Sequence, residues 1–298
     1  MDIALVTDEV SADLDTALEL ARLWGLEQVE LRGVGDGRYP RVGDALRAMT
    51  PQLVREHGVR VAALSPGLFK IPFANADGPL SFYQWSNVQR AQGLAAGKAM
   101  LEDHLERLLP ECIEAALGLE CPIVSCFTFA NPLIPLHREM LGMAEDFVPD
   151  GVIEALREAG RRCAAAGLVL AVENEMTTFG ATAAITAEIV RKVDEPNVGI
   201  TWDPANAYLA GETTPFPDAY EAVKDLVRLV HFKDVRFDAA AGRREFCVEG
   251  EIDWAGQIAA LRADGYDGTI SIETHMRPKV EPSRLLVERL RGLLDAGS

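Results

Sequence analysis

Four segments in the second half of the chain end a short apolar run on an ionisable side chain. In Leu168-Val169-Leu170-Ala171-Val172-Glu173, a period of two puts Leu170 and Val172 on one face and Val169, Ala171 and Glu173 on the other. Val198-Gly199-Ile200-Thr201-Trp202-Asp203 sets Gly199, Thr201 and Asp203 opposite its three bulky residues. Leu229-Val230-His231-Phe232-Lys233-Asp234 sets His231 and Lys233 opposite Val230 and Phe232, and Thr269-Ile270-Ser271-Ile272-Glu273 sets Ser271 and Glu273 opposite Ile270 and Ile272. One such strand end is explained by a salt bridge or a cap; four with matching parity imply a shared centre. Three carboxylates and an imidazole brought together, Glu173, Asp203, Glu273 and His231, repel and raise one another's pKa unless a cation neutralises them. The chemistry expected is that of one divalent metal ion. An oxygen-rich set with one imidazole suits Mn²⁺ best and admits Co²⁺, Zn²⁺ or Mg²⁺.

Such a centre needs a fold that delivers several strand ends to one point. Along the chain, strand-like and helix-like segments alternate. The patterns predict strand 3–7, helix 13–24 with Leu14, Ala17, Leu18, Ala21 and Leu23 as an apolar stripe at helical spacing, strand 28–34, helix 42–56 and strand 60–65. The Pro-, Gly- and aromatic-rich residues 66–83 are too long for a tight connection and read as a substrate loop. A long helix over 91–117, strand 121–129, a second long loop over 131–149 and helix 151–166 follow. Helices 183–193, 218–226 and 254–263 then alternate with the strands that begin at 168, 198, 229 and 269, and helix 282–294 closes the series. Eight strand-then-helix units without an antiparallel hairpin signal point to an α/β fold, a single (β/α)8 TIM barrel spanning residues 1–298. A doubly wound sheet is the structural rival, but no Gly-rich dinucleotide fingerprint follows the first strand.

Bulk properties agree. At 298 residues, an α/β barrel is the architecture that routinely uses this length as a single core, and 48% hydrophobic content is ample for it. A net charge of −17 disfavours a phosphate-backbone binder, so no nucleic-acid partner is expected. Cys112, Cys121, Cys126, Cys163 and Cys247 are odd in number and lack paired C-x-x-C spacing, so buried reduced thiols are expected. Met1-Asp2-Ile3 leads straight into a strand pattern with neither a basic leader nor a long apolar segment, so no membrane association and a cytoplasmic location are expected.

The runs Val172-Glu173-Asn174, Trp202-Asp203-Pro204-Ala205-Asn206, Val230-His231-Phe232-Lys233-Asp234, Glu249-Gly250-Glu251-Ile252-Asp253-Trp254 and Ile272-Glu273-Thr274 resemble the xylose isomerase-like TIM-barrel superfamily. That superfamily includes sugar isomerases, ketose 3-epimerases, inosose isomerases and dehydratases, and endonuclease IV-type nucleases. The resemblance covers the whole chain in layout, with its sharp motifs in the second half. It implies that Glu173, Asp203, His231 and Glu273 are the metal ligands. It also implies that Glu173 and Glu273 act as an acid/base pair on a sugar, cyclitol or related polyol ketone, through a metal-stabilised enediolate. Asn206 departs from the pattern, standing where epimerases of known sugar specificity often carry His; Asn still hydrogen-bonds a hydroxyl.

Other groups could contact such a substrate, each against a plainer alternative. Lys233 either binds an oxyanion or forms a rim salt bridge with Glu251 or Asp203. His275 and Arg277 hold hydroxyl, carboxylate or phosphate groups, or are solvated loop residues. Glu30 and Arg32 share an interior face, as substrate contacts or in a buried ion pair. Trp202, Phe69, Phe127 and Phe129 wall a sugar ring or, as the default, pack the core. The Glu249-Gly250-Glu251 turn is expected to order a loop rather than to catalyse. The rival functions are a dehydratase or lyase using the same metal, an endonuclease IV-like phosphodiesterase, a metal-free aldolase with Lys233 as Schiff-base nucleophile, and a non-catalytic sugar-binding barrel. A homo-oligomer is a reasonable expectation from similar barrels.

Overall fold

The computed structural model describes residues 1–73, 87–131 and 148–296, except for the side chains of 87–94; most of the two long loops expected at 66–83 and 131–149 lies outside the described residues. Eight parallel strands close a barrel: β1 (Asp2–Val6), β2 (Gln28–Leu31), β5 (Arg60–Leu68), β6 (Ile123–Cys126), β7 (Val169–Glu173), β8 (Val198–Trp202), β9 (Val227–Phe232) and β12 (Thr269–Ile272). β1 pairs with β12 on one side and β2 on the other, which completes the ring. The expected parity holds. Leu170, Val172, Ile200, Trp202, Val230, Phe232, Ile270 and Ile272 all enter the hydrophobic core between strands and helices. Trp202 is fully buried and donates Nε1–H to Gln257, a core role and not a ring wall.

The helices start where the sequence offers a cap. Asp13 accepts the Thr16 N–H at 2.9 Å ahead of Leu14–Leu23, and Thr182 accepts the Ile185 N–H at 3.3 Å ahead of Ala183–Val193. Leu14, Ala17, Leu18 and Ala21 are buried, as their spacing predicts, but Leu23, two positions past Ala21 and so off that face, is exposed. All five cysteines are free and buried. No helix among the described residues is long and apolar enough to cross a membrane.

Three expectations are corrected. The strand read as 28–34 ends at Leu31, and Gly33–Val34 (β3) turns back on Gly37–Arg38 (β4) as a small antiparallel hairpin. A second hairpin, β10 (Asp234–Asp238) with β11 (Arg243–Cys247), follows β9. The helix expected over 218–226 is replaced by a kinked turn at Pro215–Ala219 and a 3-10 turn at Tyr220–Ala222. Phe216, between two prolines, holds extended dihedrals, and β9 begins at Val227, which leaves no length for a helix.

The long helix expected over 91–117 is Asn87–Asp103, a π turn at His104–Leu108, and Leu109–Gly118. The turn has a use: His104 Nδ1 accepts the Phe69 N–H at 2.9 Å, and Phe69, at φ +60°, stacks on Phe129 at 4.7 Å. Burial, and then the Arg41 charge, lower the His104 pKa below its ordinary 6.5. A depressed histidine contributes stability that is complete above its unfolded pKa and is lost as pH falls through the folded value. His104→Gln removes this titration. The unfolding free energy of the wild type, from urea titration, is expected to fall more than the variant's between pH 7.5 and 5, by about 1 kcal/mol. Parallel midpoints across that range would show that His104 carries no such coupling.

Candidate metal centre

Glu173, Asp203, His231 and Glu273 stand at the carboxyl ends of β7, β8, β9 and β12, where barrel chemistry is located. Each is less than 10% exposed, and one ligand atom from each lies within 4.8 Å of the others. Their supports are local. Asn174 Nδ2 donates to the Asp203 carbonyl at 2.8 Å, and Asn174 Oδ1 accepts the Asp203 N–H at 2.9 Å, which fastens the end of β7 to that of β8. Asp203 Oδ1 caps the short helix Pro204–Leu209 by accepting the Asn206 N–H at 2.9 Å. Its Oδ2 is left for the centre.

His231 is oriented from behind. Its Nε2 lies 3.2 Å from both oxygens of Glu30, a fully buried carboxylate that also accepts from Ser65. Burial alone would raise the Glu30 pKa, but His231 and Ser65 outweigh it and hold Glu30 low. With Nε2 turned to Glu30, Nδ1 is the ring nitrogen that faces the centre. It lies 3.4 Å from Glu273, 3.7 Å from Glu173 and 3.7 Å from Asp203, and it is buried without a hydrogen-bond partner. An imidazole fixed through one nitrogen by a carboxylate and aimed with the other at three carboxylates is the arrangement of a metal-ligating histidine. Asp203 Oδ2 faces the same point, 3.7 Å from His231 Nδ1, with the Lys233 ammonium as its other neighbour. The donor set therefore fits one divalent ion held by Glu173, Asp203, His231 and Glu273.

Charge points the same way. Asp8, Glu9, Glu30, Glu173, Asp203 and Glu273 surround two permanent cations that are ion-paired among them, Arg32 and Lys233. Lys233 is 1% exposed, and its Nζ lies 2.6 Å from Asp203 Oδ2 and pairs with Glu273. Of the sequence alternatives, the salt bridge to Asp203 is present. It sits within the centre, however, and not at a rim, and Glu251 instead accepts from Tyr208 and from the Phe237 N–H. Burial opposes the ammonium, yet Asp203, Glu273 and Glu173 outweigh it and hold Lys233 above its ordinary pKa. Glu273 is correspondingly held well below the usual carboxylate range, because Lys233, His275 and His231 overcome its burial.

The remaining expected residues divide. Asn206 Nδ2 donates to Glu173 Oε1 at 3.0 Å, so it steadies that carboxylate while lining the cavity. Glu30 and Arg32 are both interior but do not pair with each other. A register shift between β2 and β5 falls at Val29/Glu30, and Arg32 reaches Asp8 at 2.7 Å, Glu9 and Glu273. His275 Nε2 lies 3.2 Å from Glu273. Arg277 is not at the central cavity; it lines two outer grooves, one beside Arg243 and one beside Asp36. Phe127 lines the cavity, whereas Phe69 and Phe129 lie in the core. Gly250 lets the turn after the β10–β11 hairpin close on Asp234, whose Oδ1 a Cβ there would meet at 2.6 Å. The sequence reading missed Asp8 and Glu9, although they too follow a strand directly.

These groups open into a cavity of about 380 Å³, walled by Phe127, Met176, Leu209 and Phe246. Glu30→Gln, which keeps an acceptor for Ser65 but removes the charge behind His231, is expected to weaken Zn²⁺ binding about 10- to 100-fold. Equilibrium dialysis against wild type measures this, and equal affinity would remove Glu30 from the centre.

The model of the family described as xylose isomerase-like TIM barrel matches residues 18–295. An uncharacterized protein of Methanocaldococcus jannaschii is 26% identical over 201 residues, 64% of this chain and 66% of its own length, so the aligned stretch spans slightly under two thirds of that relative. Solved structures share the fold. A xylose isomerase-like TIM barrel protein from Mycobacterium smegmatis in complex with magnesium has a TM-score of 0.66 at 19% identity, covering 98% of this chain and 92% of its own. The IOLI protein with a bound zinc atom has a TM-score of 0.67 at 17% identity over 100% and 99%. A D-tagatose 3-epimerase-like protein has 0.66 at 19% over the whole of both chains. With fold, strand-end centre and family model in agreement over nearly its full length, the chain belongs to the xylose isomerase-like TIM-barrel family.

Proposed function

We propose that this protein is a divalent-metal-dependent isomerase or epimerase of a sugar, cyclitol or related polyol ketone, with Mn²⁺ the preferred ion. The observation that carries the reading is the convergence of Glu173, Asp203, His231 and Glu273, with His231 Nδ1 buried among the three carboxylates and without a hydrogen-bond partner. The magnesium and zinc of the structural neighbours support the same class of ion. When bound, the ion supplies Lewis acidity that makes a C–H beside the substrate carbonyl more acidic.

Glu173 and Glu273 transfer the protons. They approach from β7 and β12, with β8 and β9 between them around the barrel. Their settings differ. Protonating Glu273 would cost its contacts with Lys233 and Arg32, whereas Glu173 keeps a neutral Asn206 donor on one oxygen and leaves the other for a proton. Glu173 is therefore the group that takes the proton. In an isomerisation it returns that proton to the neighbouring carbon; in an epimerisation Glu273, protonated from solvent at the cost of those contacts, delivers one to the opposite face. Phe127, Met176, Leu209 and Phe246 supply the apolar lining beside the transfer. Lys233, held as an ammonium, is not the free amine that an imine mechanism needs.

The test is deuterium incorporation from D₂O into a panel of ketoses and keto-inositols, followed by NMR with Mn²⁺, Co²⁺, Zn²⁺ or Mg²⁺ supplied. Exchange at the carbon beside the carbonyl, with isomer or epimer formed, is expected. Exchange accompanied by loss of water would move the assignment to a dehydratase. No exchange by a protein that does bind the ion would end the proton-transfer reading.

A further inference from the structure

Most charges around the central cavity are engaged by one another. Asp8 meets Arg32, Glu30 meets His231, and Asp203 and Glu273 meet Lys233. Arg38 and Lys70 differ. Both line the cavity, yet among the described residues neither has a carboxylate at ion-pairing distance, in a chain with 46 acidic and 29 basic residues.

Their placement is built by one corner of the barrel. Gly67, at φ +79°, presents bare backbone to Arg38: a Cβ there would lie 3.2 Å from Arg38 Cδ and 3.4 Å from its Nη1. The Lys70 N–H donates to the Gly67 carbonyl at 3.0 Å, so the second cation springs from the turn on which the first one rests. Lys70 Nζ stands 4.4 Å from the centre of the Phe127 ring, and Phe127 is tied to β5 by its N–H to the Leu68 carbonyl at 3.0 Å. A cation–π contact orients an ammonium without neutralising it. Both side chains are exposed at the cavity mouth; partial desolvation there, and then the like charge of Arg32, lower the Arg38 pKa against the more distant Asp8, Glu173 and Glu273. The cavity lining also includes Met176, Asn206, Leu209 and the Glu175 carboxylate.

We infer that the substrate carries an anionic group, a carboxylate or a phosphate, away from its reacting carbon, and that Arg38 and Lys70 hold that group. The inference rests on the reading of the cavity as a polyol-ketone site and narrows its substrate class. A guanidinium fork beside an ammonium matches either anion.

The test is calorimetric binding of sorbitol, gluconate and sorbitol 6-phosphate to the full chain and to Arg38→Gln, Lys70→Gln and the double variant. At least one charged ligand is expected to bind about 10- to 100-fold more tightly than sorbitol. Each single variant reduces that margin and the double variant abolishes it; the tighter charged ligand identifies the anion. Sorbitol binding as tightly, no charged ligand binding, or a margin that survives the double variant would each overturn the inference. None of the three ligands is a ketone, so the result does not depend on proton transfer. A protein that prefers charged polyols but exchanges no proton keeps the inference and loses the isomerase reading, and the converse holds equally.

Discussion

Glu273→Gln is expected to lower the rate of solvent exchange into the substrate by about 10³- to 10⁴-fold, from loss of one proton-transfer group and one ligand together. The substitution is nearly isosteric, and the Gln oxygen still accepts from Arg32, so the barrel end should remain assembled. What is lost is charge. Lys233, Arg32 and His275 all converge on this carboxylate, and it also shares the centre with His231 Nδ1. Divalent-ion content, measured by elemental analysis beside the kinetics, should fall with activity. If the variant retains exchange within about 10-fold of wild type, Glu273 is neither proton carrier nor essential ligand, because either role alone carries a larger effect.

Lys233→Met should produce the largest change in stability. It leaves Asp203 and Glu273 facing each other in a buried centre without their ammonium partner, and breaking a buried pair on one side costs about 3–5 kcal/mol. For a chain of this size, that corresponds to a fall in Tm of roughly 5–15 °C. A divalent ion that binds the folded centre should return part of the loss, about 2.7 kcal/mol at a concentration 100 times its Kd. The signature is thus a variant whose Tm depends on Mn²⁺ or Zn²⁺ more steeply than that of the wild type. An unchanged Tm in metal-free buffer would mean that Lys233 does not balance this cluster.

The legible part of the site was the part written in periodicity. Glu173, Asp203, His231 and Glu273 each end an apolar strand on its interior parity, and a parallel barrel can only collect such ends at one mouth. Asp8 and Glu9 carry no such parity: they lie in the 3-10 turn Thr7–Glu9 that follows β1, and only the fold brings both to Arg32. The hairpins are hidden from local periodicity. Gly33-Val34 continues the alternation of β2, and nothing in that local pattern marks where the pairing partner changes.

The sequence by itself determined the eightfold alternation, the barrel, and which four side chains share a centre, since each depends on residues a few positions apart. Only the tertiary structure decided what those side chains touch. Arg32 meets Glu273 across 241 positions and Glu30 meets His231 across 201, contacts that exist because β1 closes against β12. Closure and its register set which interior side chains face one another across the barrel, and no local period encodes that choice. The same holds for Lys233, whose parity placed it inside but whose position between Asp203 and Glu273 required the ring to be complete.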